Sequence, residues 1–288
     1  MRFSFIEAEK AHHAVSTLCD MLKVSRAGFY AWRKRPASAH TTRDIRLRVL
    51  VREAFERSRM TYGSPRIHAE LRAHDERVSR KRLIRLMQLD GLVARQRRRY
   101  KLTTMSEHDQ PVAPNLLDQK FEAERPNQRW VGDTTELVTD EGKLFLAVIV
   151  DLFARFAVGW ALSPSNNRHL TIRALEMAIR RRCPDAGLLH HSDQGCTYAS
   201  EDYQKVLVAN GITCSMSRRG NVFDNAAMES WFSTFKSELG ERFGDQVEAT
   251  DQTFDYIEVF YNQQRRHSTL GYVSPAEYER AANRESVT

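Results

Sequence analysis

A change of hydrophobic pattern near residue 127 constrains the fold of this 288-residue chain more than any other feature. Beyond it, three segments have the length and apolar character of strands, and Asp140-Glu141-Gly142 offers a hairpin turn after the first. These strands are predicted at 130–138, 143–151 and 155–162. Helices then alternate with short strands; the helices are predicted at 171–182, 200–210 and 225–239, the strands at 187–191 and 212–216. The order predicts a mixed α/β sheet.

The part before this change is basic. Residues 1–101 contain 25 Lys and Arg against 10 Asp and Glu, whereas the remainder contains 19 against 27. Such asymmetry favours one part that binds a polyanion, and arginine, which dominates the excess, pairs well with phosphate. On charge alone, the alternative is a solvated helix surface.

This basic part is predicted to hold two helix pairs. The first pair covers 12–34, where Ser25 caps a basic second helix over 26–34. A long helix over 42–57 separates the two pairs. The first pair resembles a helix-turn-helix, whose second helix can enter a major groove of DNA.

The second pair is predicted at 64–73 and 80–89. Ser64 and Ser79 are the expected caps, and Pro65 suits a first helical position. A basic strip follows the pair, and a set of its cations is expected to contact the DNA backbone. The set consists of Arg80, Lys81, Arg95, Arg97, Arg98 and Arg99. The alternative is a solvated helix face with a flexible tail.

A proline-containing segment of mixed charge, 102–126, is predicted to be a linker. We therefore expect four parts: a basic helical region at 1–101, the linker, an α/β core at 127–240, and a helical extension at 241–288 with its last helix near 252–261. The four cysteines lack zinc-site spacing and are predicted to be reduced and structural. No membrane span is expected, and the cysteines indicate a cytosolic protein.

Three carboxylates occupy informative places in this pattern. Asp133 lies within the first predicted strand, Asp193 directly follows the fourth, and Glu229 lies one turn into the helix that Asp224 is expected to cap. Charged groups at buried strand ends are costly unless they are paired or bound to metal. Hard oxygen ligands suit Mg²⁺ or Mn²⁺, and two such ions can activate the attacking oxygen and stabilise the leaving oxygen in phosphodiester chemistry.

Thirty-five residues separate Asp193 from Glu229. The sequence motifs around them resemble those of the catalytic protein of bacterial insertion sequences, of the type encoded by a second, overlapping reading frame. The resemblance runs from about Val15 to Tyr278. The motifs that carry it are Tyr62-Gly63-x-x-Arg66-Ile67, Trp130-x-x-Asp133-x-Thr135, His191-Ser192-Asp193-Gln194-Gly195, Asp224-Asn225-Ala226-x-x-Glu229-Ser230, Lys236-x-Glu238, Tyr261-Asn262, Arg266-His267-Ser268 and Leu270-Gly271-Tyr272-x-Ser274-Pro275.

The resemblance implies a ribonuclease H-like, retroviral-integrase-like core in which Asp133, Asp193 and Glu229 hold divalent metal, two Mg²⁺ or Mn²⁺ ions being expected. It also implies water-driven cleavage at the 3′ ends of the element, followed by attack of the freed 3′-hydroxyl on target DNA. The expected partners are double-stranded DNA, as element ends and as target, and further copies of the chain assembled on it. The location that the resemblance implies is the bacterial cytoplasm, in association with the nucleoid.

Several other residues are expected to contact DNA or to support the site. Lys236 follows Glu229 by seven residues, so both side chains share a helix face, and Lys236 is expected to reach a DNA phosphate unless it is merely solvated. His191, Gln194 and Asn225 are expected to support the site. A hydrogen-bonded core histidine is an equal interpretation for His191. Trp130 is expected in the core, whereas Arg266 and His267 either meet DNA or dock the C-terminal segment.

Two further hypotheses stay open at the level of function. In elements of this type the active enzyme is typically a frameshift fusion with an upstream-frame protein, so this chain is alternatively a DNA-binding regulator or assembly partner that is inactive without it. A structure-selective nuclease built on the same core is the third possibility. The basic N-terminal helices and the C-terminal sequence motifs argue against it.

Overall fold

The computed structural model of the chain describes residues 1–36, 38–95 and 111–285. Its first part is helical, as predicted, and contains α1 Arg2–Glu9, α2 Val15–Met21, α3 Arg26–Lys34, α4 Ala39–Arg57, α5 Ser64–Ala73 and α6 Arg80–Leu89. The sequence prediction missed α1. This helix buries a single side chain, Ile6, so it shows little of the apolar periodicity from which helices are recognised.

Helix starts depend on local hydrogen bonds, and two of the three predicted serine caps are confirmed. Ser25 accepts a bond from the Gly28 amide, and Ser79 accepts one from the Arg82 amide. The prediction for Ser64 was wrong, because Gly63 precedes α5 and Ser64 is already its first residue. Pro65 then supplies the fixed backbone angle that suits a first turn.

The mixed sheet is confirmed, with strand order β3-β2-β1-β4-β5 and a short sixth strand beside β1. The first three strands are antiparallel, whereas β4, β5 and β6 run parallel to their partners. This is the expected ribonuclease H-like arrangement. The bounds are β1 Arg129–Thr139, β2 Gly142–Asp151, β3 Phe156–Ser163, β4 Leu189–Ser192, β5 Thr213–Met216 and β6 Arg242–Phe243. Gly142 closes the first hairpin at φ +127°, a conformation that favours glycine.

Six further helices surround the sheet: α7 Arg168–Arg182, α8 Cys196–Ala199, α9 Glu201–Ala209, α10 Ala226–Glu238, α11 Gln246–Phe254 and α12 Pro275–Glu285. The prediction of a last helix over 252–261 was wrong in its bounds, since α11 ends at Phe254 and widens into a π-helical stretch, Asp255–Tyr261. The sequence prediction also missed α12. Its start is a capping box, in which Ser274 and Glu277 each accept a bond from the other's amide.

The sheet buries a hydrophobic layer on each face. One layer joins Trp130 and Ile149 to side chains of α7 and α9. The other joins Val131 to Trp231 of α10 and also contains Leu47 and Leu83 of the N-terminal helices. Helices α4 to α6 therefore share a core with the sheet. The first 36 residues have a small core of their own around Phe29.

The predicted linker has no helix or strand in its described part, 111–126, but Leu117 is fully buried within the second layer. The four cysteines are free, as predicted. In the described ranges, no helix is both long and apolar enough to cross a membrane.

Candidate active site and nucleic-acid surface

Asp133 and Asp193 occupy equivalent positions on two adjacent parallel strands. Gly132 of β1 is paired with Ser192 of β4, and each aspartate is the next residue along its chain. Adjacent strands lie about 4.8 Å apart, so the register brings the two carboxylates to one end of the sheet. Gly132 allows this packing, because a Cβ there would come within 2.8 Å of the His190 ring.

Two donors hold the carboxylate of Asp133. The Thr134 amide donates to Oδ1 at 2.6 Å, and the Asn225 side-chain amide donates to Oδ2 at 2.8 Å. Burial, followed by the charges of Asp193 and Glu229, raises the pKa of Asp133 to about 8 despite these two bonds. Asp193 and Glu229 therefore lie near enough to Asp133 to act on it electrostatically.

Glu229 reaches the site from α10, which packs against β1 through its apolar face. Met228 and Phe232, beside it on the helix, are buried, whereas Glu229 is exposed at the surface. Partial burial raises the pKa of its carboxyl. Oδ1 of Asp193 accepts a 2.9 Å bond from the Gly195 amide, which orients the third carboxylate.

The donor set consists of carboxylate oxygens from three elements, and this chemistry fits a hard divalent cation. Within the described part of the chain, no three His, Cys, Asp or Glu side chains lie close enough together to hold an ion jointly. Like charges at one site separate unless a cation offsets their repulsion. The register of β1 and β4 and the packing of α10 nevertheless place the three groups around one end of the sheet.

Of the supporting residues, Asn225 contacts a carboxylate directly, whereas His191 and Gln194 contact the structure around the site. His191 is buried, and its ring nitrogens lie 2.9 Å from Ser215 Oγ and 3.1 Å from Ser217 Oγ. These are the contacts of a hydrogen-bonded core histidine. Gln194 donates to the Ser217 carbonyl at 2.8 Å.

The prediction that Asp224 caps α10 was wrong. Asn225 precedes the helix, and the buried Asp224 carboxylate instead accepts bonds from Arg218, Asn115 and Gln119. The Arg218 bonds hold the pKa of Asp224 well below its usual range. This cluster fixes the backbone next to Asn225. The sequence prediction missed Asn115 and Gln119, since more than a hundred residues separate them from Asp224 and no local pattern connects them.

Several of the residues predicted to contact DNA also have partners within the protein. Arg95 donates to the Glu238 carbonyl at 2.9 Å, and Lys236 lies 3.8 Å from the Glu241 carboxylate. Arg266 binds Glu70 and the Tyr272 carbonyl, and the His267 ring packs on Tyr261. Arg266 and His267 thus dock the C-terminal segment. Arg97, Arg98 and Arg99 lie outside the described residues.

The arginines of α4 to α6 divide into paired and uncompensated groups. Arg46, Arg48, Arg82 and Arg85 form ion pairs with carboxylates of the same unit. Five other cations have no carboxylate within ion-pairing distance among the described residues. One of them, Arg43, donates to the Arg77 carbonyl. The other four are Arg72, Arg77, Arg80 and Lys81, and we call them the open basic surface. Arg72 and Arg77 line a groove of about 510 Å³ with His68, Val78 and Ser79.

Comparison with known proteins separates the N-terminal helical part from the α/β core. Residues 42–100 match a family described as HTH-like domain, and residues 123–222 and 210–275 match two families described as Integrase core domain. The chain is 39% identical over 283 residues to transposase InsF for insertion sequence IS3A of Escherichia coli strain K12, which covers 97% of this chain and 98% of that protein.

This chain belongs to the family of insertion-sequence transposases with an integrase core. A further relative is the insertion element IS600 uncharacterized 31 kDa protein of Shigella sonnei, 43% identical over 91% of this chain and 97% of that protein. Members of this family are polynucleotidyl transferases that use divalent metal.

Solved structures of similar fold include the HTLV-2 integrase catalytic core domain in complex with magnesium. It is 16% identical, with a TM-score of 0.41, and covers 55% of this chain and 99% of that chain. Another is a simian T-cell lymphotropic virus intasome in complex with a PP2A regulatory subunit, 15% identical with a TM-score of 0.44, covering 74% of this chain and 70% of that chain.

Proposed function

We propose that this transposase chain cleaves DNA at the ends of its own insertion sequence and joins the freed 3′ ends to target DNA, with Asp133, Asp193 and Glu229 as its metal ligands. The observation that carries this proposal is the placement of the three carboxylates around one end of the sheet by strand register and by the packing of α10. They come from β1, the end of β4 and α10, yet Asp193 and Glu229 both raise the pKa of Asp133.

The three carboxylates would hold Mg²⁺ or Mn²⁺, for which we propose two ions. When bound, such ions activate an attacking oxygen and stabilise the leaving oxygen of a phosphodiester. The chain's own residues prepare the ligands. Thr134 and Asn225 fix the two oxygens of Asp133, and the Gly195 amide fixes Asp193.

DNA binding is the second part of the proposal. The open basic surface, Arg72, Arg77, Arg80 and Lys81, supplies cations that no described carboxylate neutralises, so they are available to phosphates. Lys236, on the same face of α10 as Glu229, is proposed to contact DNA near the site. Assembly of several copies on DNA and partnership with an upstream-frame protein stay predictions.

Cleavage of a plasmid that carries the gene with its flanking DNA tests the proposal. Purified chain with Mg²⁺ is expected to nick at the element ends, and Asp133→Asn, Asp193→Asn and Glu229→Gln are each expected to reduce nicking by at least about a hundredfold, since each removes a metal ligand. Melting curves of the variants check that they fold.

Asp140→Asn is the matched control, because Asp140 is an exposed acid in the β1–β2 turn. It is expected to nick like the parent. Nicking that survives Asp133→Asn would overturn the assignment of the ligands. Binding of the ends without nicking by the parent would support the DNA-binding regulator instead.

A further inference from the structure

The end of α10 remote from Glu229 carries a second carboxylate, which is buried. Glu238 is the last residue of this helix, and only 7% of its side chain is exposed. Burying a carboxylate is costly unless donors surround it. Here the donors come from parts of the chain far apart in sequence.

The C-terminal segment provides most of these donors. Arg265, itself buried, donates from Nε to one oxygen of Glu238 at 2.7 Å and from Nη2 to the other at 2.8 Å. The Tyr256 hydroxyl adds a bond of 2.8 Å. This two-pronged pairing of arginine and carboxylate restricts orientation as well as distance, so the end of α10 is held firmly against the C-terminal segment.

The N-terminal helices provide the remaining donors. Arg66, in α5, lies 3.4 Å from Glu238 through Nη1. Arg95 donates to the Glu238 carbonyl at 2.9 Å. Tyr62, before α5, donates toward the Gln264 carbonyl and accepts from the Arg266 amide at 2.6 Å. The N-terminal helices thus meet α10 and the C-terminal segment at one polar cluster.

The position of this cluster gives it a consequence for the active site. Glu229 and Glu238 are nine residues apart on one helix, about 13 Å along its axis, and a helix moves as a rod when one end shifts. At the other end, Asn225 makes no side-chain cap and instead holds Asp133. The apolar face of α10 packs against β1, and the polar cluster at Glu238 fixes the C-terminal end of the helix.

We propose that Glu238 is a positioning residue for Glu229, and that Arg66 makes the placement of Glu229 depend on the docking of the N-terminal helices. The proposal rests on the proposed function only for the role of Glu229 as a metal ligand. It also assigns a structural role to three sequence motifs that take no part in metal binding, namely those containing Arg66, Glu238 and Arg266.

Arg66→Met and Arg59→Met form the test pair. Both arginines connect the N-terminal helices to another part of the chain, and their side chains are similarly exposed, at 24% and 31%. Arg59 pairs with Asp255 at 2.6 Å and does not touch Glu238. Each variant loses one such contact, but only Arg66→Met loses a contact to α10.

The first measurement is Mn²⁺ affinity of the full chain, from the free-ion electron paramagnetic resonance signal. Arg66→Met is expected to weaken Mn²⁺ binding by about tenfold or more, since an ångström of misplacement has large effects at such sites. Arg59→Met is expected to match the parent, and Arg66→Lys is expected to recover most of the loss. Equal affinities in Arg66→Met and the parent would overturn the proposal.

The second measurement is nicking of the plasmid at saturating DNA. Arg66→Met is expected to lower the turnover by about tenfold or more without changing DNA affinity measured in EDTA, whereas Arg59→Met changes neither. If both variants lose turnover in proportion to their melting temperatures, the role of Arg66 is general stability and positioning is refuted. If the parent binds Mn²⁺ but never nicks, the proposed function fails while the Mn²⁺ comparison still decides the positioning role.

Discussion

His190 shows how a titratable side chain is adapted to the interior beside the site. It is fully buried, its Nε2 lies 2.7 Å from the Tyr203 hydroxyl, and its Nδ1 has no hydrogen-bond partner among the described groups. Burial, together with the neighbouring His191, lowers the pKa of His190 to about 3. The ring is therefore neutral in the folded protein at every pH where the fold is intact.

This pKa predicts acid sensitivity. The unfolded chain binds a proton at His190 below about pH 6.5, whereas the folded chain does not until near pH 3. The contribution of His190 to folding stability is therefore complete above pH 6.5 and falls as the pH drops. The slope contributed by this residue is at most about 1.4 kcal/mol per pH unit. Urea unfolding between pH 7.5 and 5 measures it.

His190→Gln removes this titration and keeps an acceptor for Tyr203, so we expect a shallower loss of stability on acidification, whatever the stability at pH 7.5. His12→Gln, at an exposed position in the turn after α1, is the control and should keep the parental slope. A parental slope in His190→Gln would contradict the expectation.

At the scale of elements, the ion pairs of α4 to α6 decide which cations face outward. Asp44 neutralises Arg82 and Arg85, and hydrogen bonds from Arg82 first, then Arg85, lower the pKa of Asp44. Arg82 and Arg85 are thereby engaged within the helical unit. Arg77, in the turn between α5 and α6, has no carboxylate partner among the described residues, and Arg43 donates a hydrogen bond to its carbonyl.

We expect Arg72→Ala combined with Arg77→Ala to weaken binding of a duplex of arbitrary sequence. Each lost phosphate contact reduces the slope of log affinity against log salt by about 0.9, so the pair reduces it by about 1.8. Fluorescence anisotropy in EDTA across a range of NaCl concentrations measures the slope without cleavage.

Arg46→Ala combined with Arg48→Ala removes the same charge from ion-paired positions. Its slope is expected to remain close to that of the parent. If the two double variants lose equal slope, total charge rather than the open basic surface governs binding.

At the scale of the whole molecule, the proposed active site brings together carboxylates whose repulsion is unfavourable for folding. Asp133 and Asp193 lie side by side because of strand register, and Glu229 adds a third negative charge. Such a site stores repulsion in the folded state, which a divalent cation relieves. A ligand that binds only the folded chain raises its stability by mass action.

Millimolar Mg²⁺ is therefore expected to raise the melting temperature of the chain. At a hundred times the dissociation constant, the gain is about 2.7 kcal/mol. Asp133→Asn should lose most of this Mg²⁺-dependent rise, whereas Asp140→Asn should retain it. Scanning calorimetry with and without Mg²⁺ measures both, and an equal rise in Asp133→Asn would count against Asp133 as a ligand.

The sequence by itself determined the order of elements and singled out the three carboxylates that we propose as metal ligands. Apolar residues recur with a different spacing in strands and in helices, so β1 to β5 and most helices could be located from local patterns. Two helices were missed, and the reason is local in each case. Helix α1 buries too few apolar side chains to show a helical period. Helix α12 begins at a Ser274–Glu277 capping box, whose three-residue spacing is a sequence signature of a helix start.

Only the tertiary structure decided what the other motif residues contact. Arg95 and Arg266 are basic residues in a basic chain, yet their partners are the Glu238 carbonyl and Glu70. Asp224 precedes a helix, yet it binds Arg218 and Asn115. Local sequence predicts backbone conformation, because that depends on neighbouring residues. The partner of a buried charge is set by packing between segments up to two hundred residues apart.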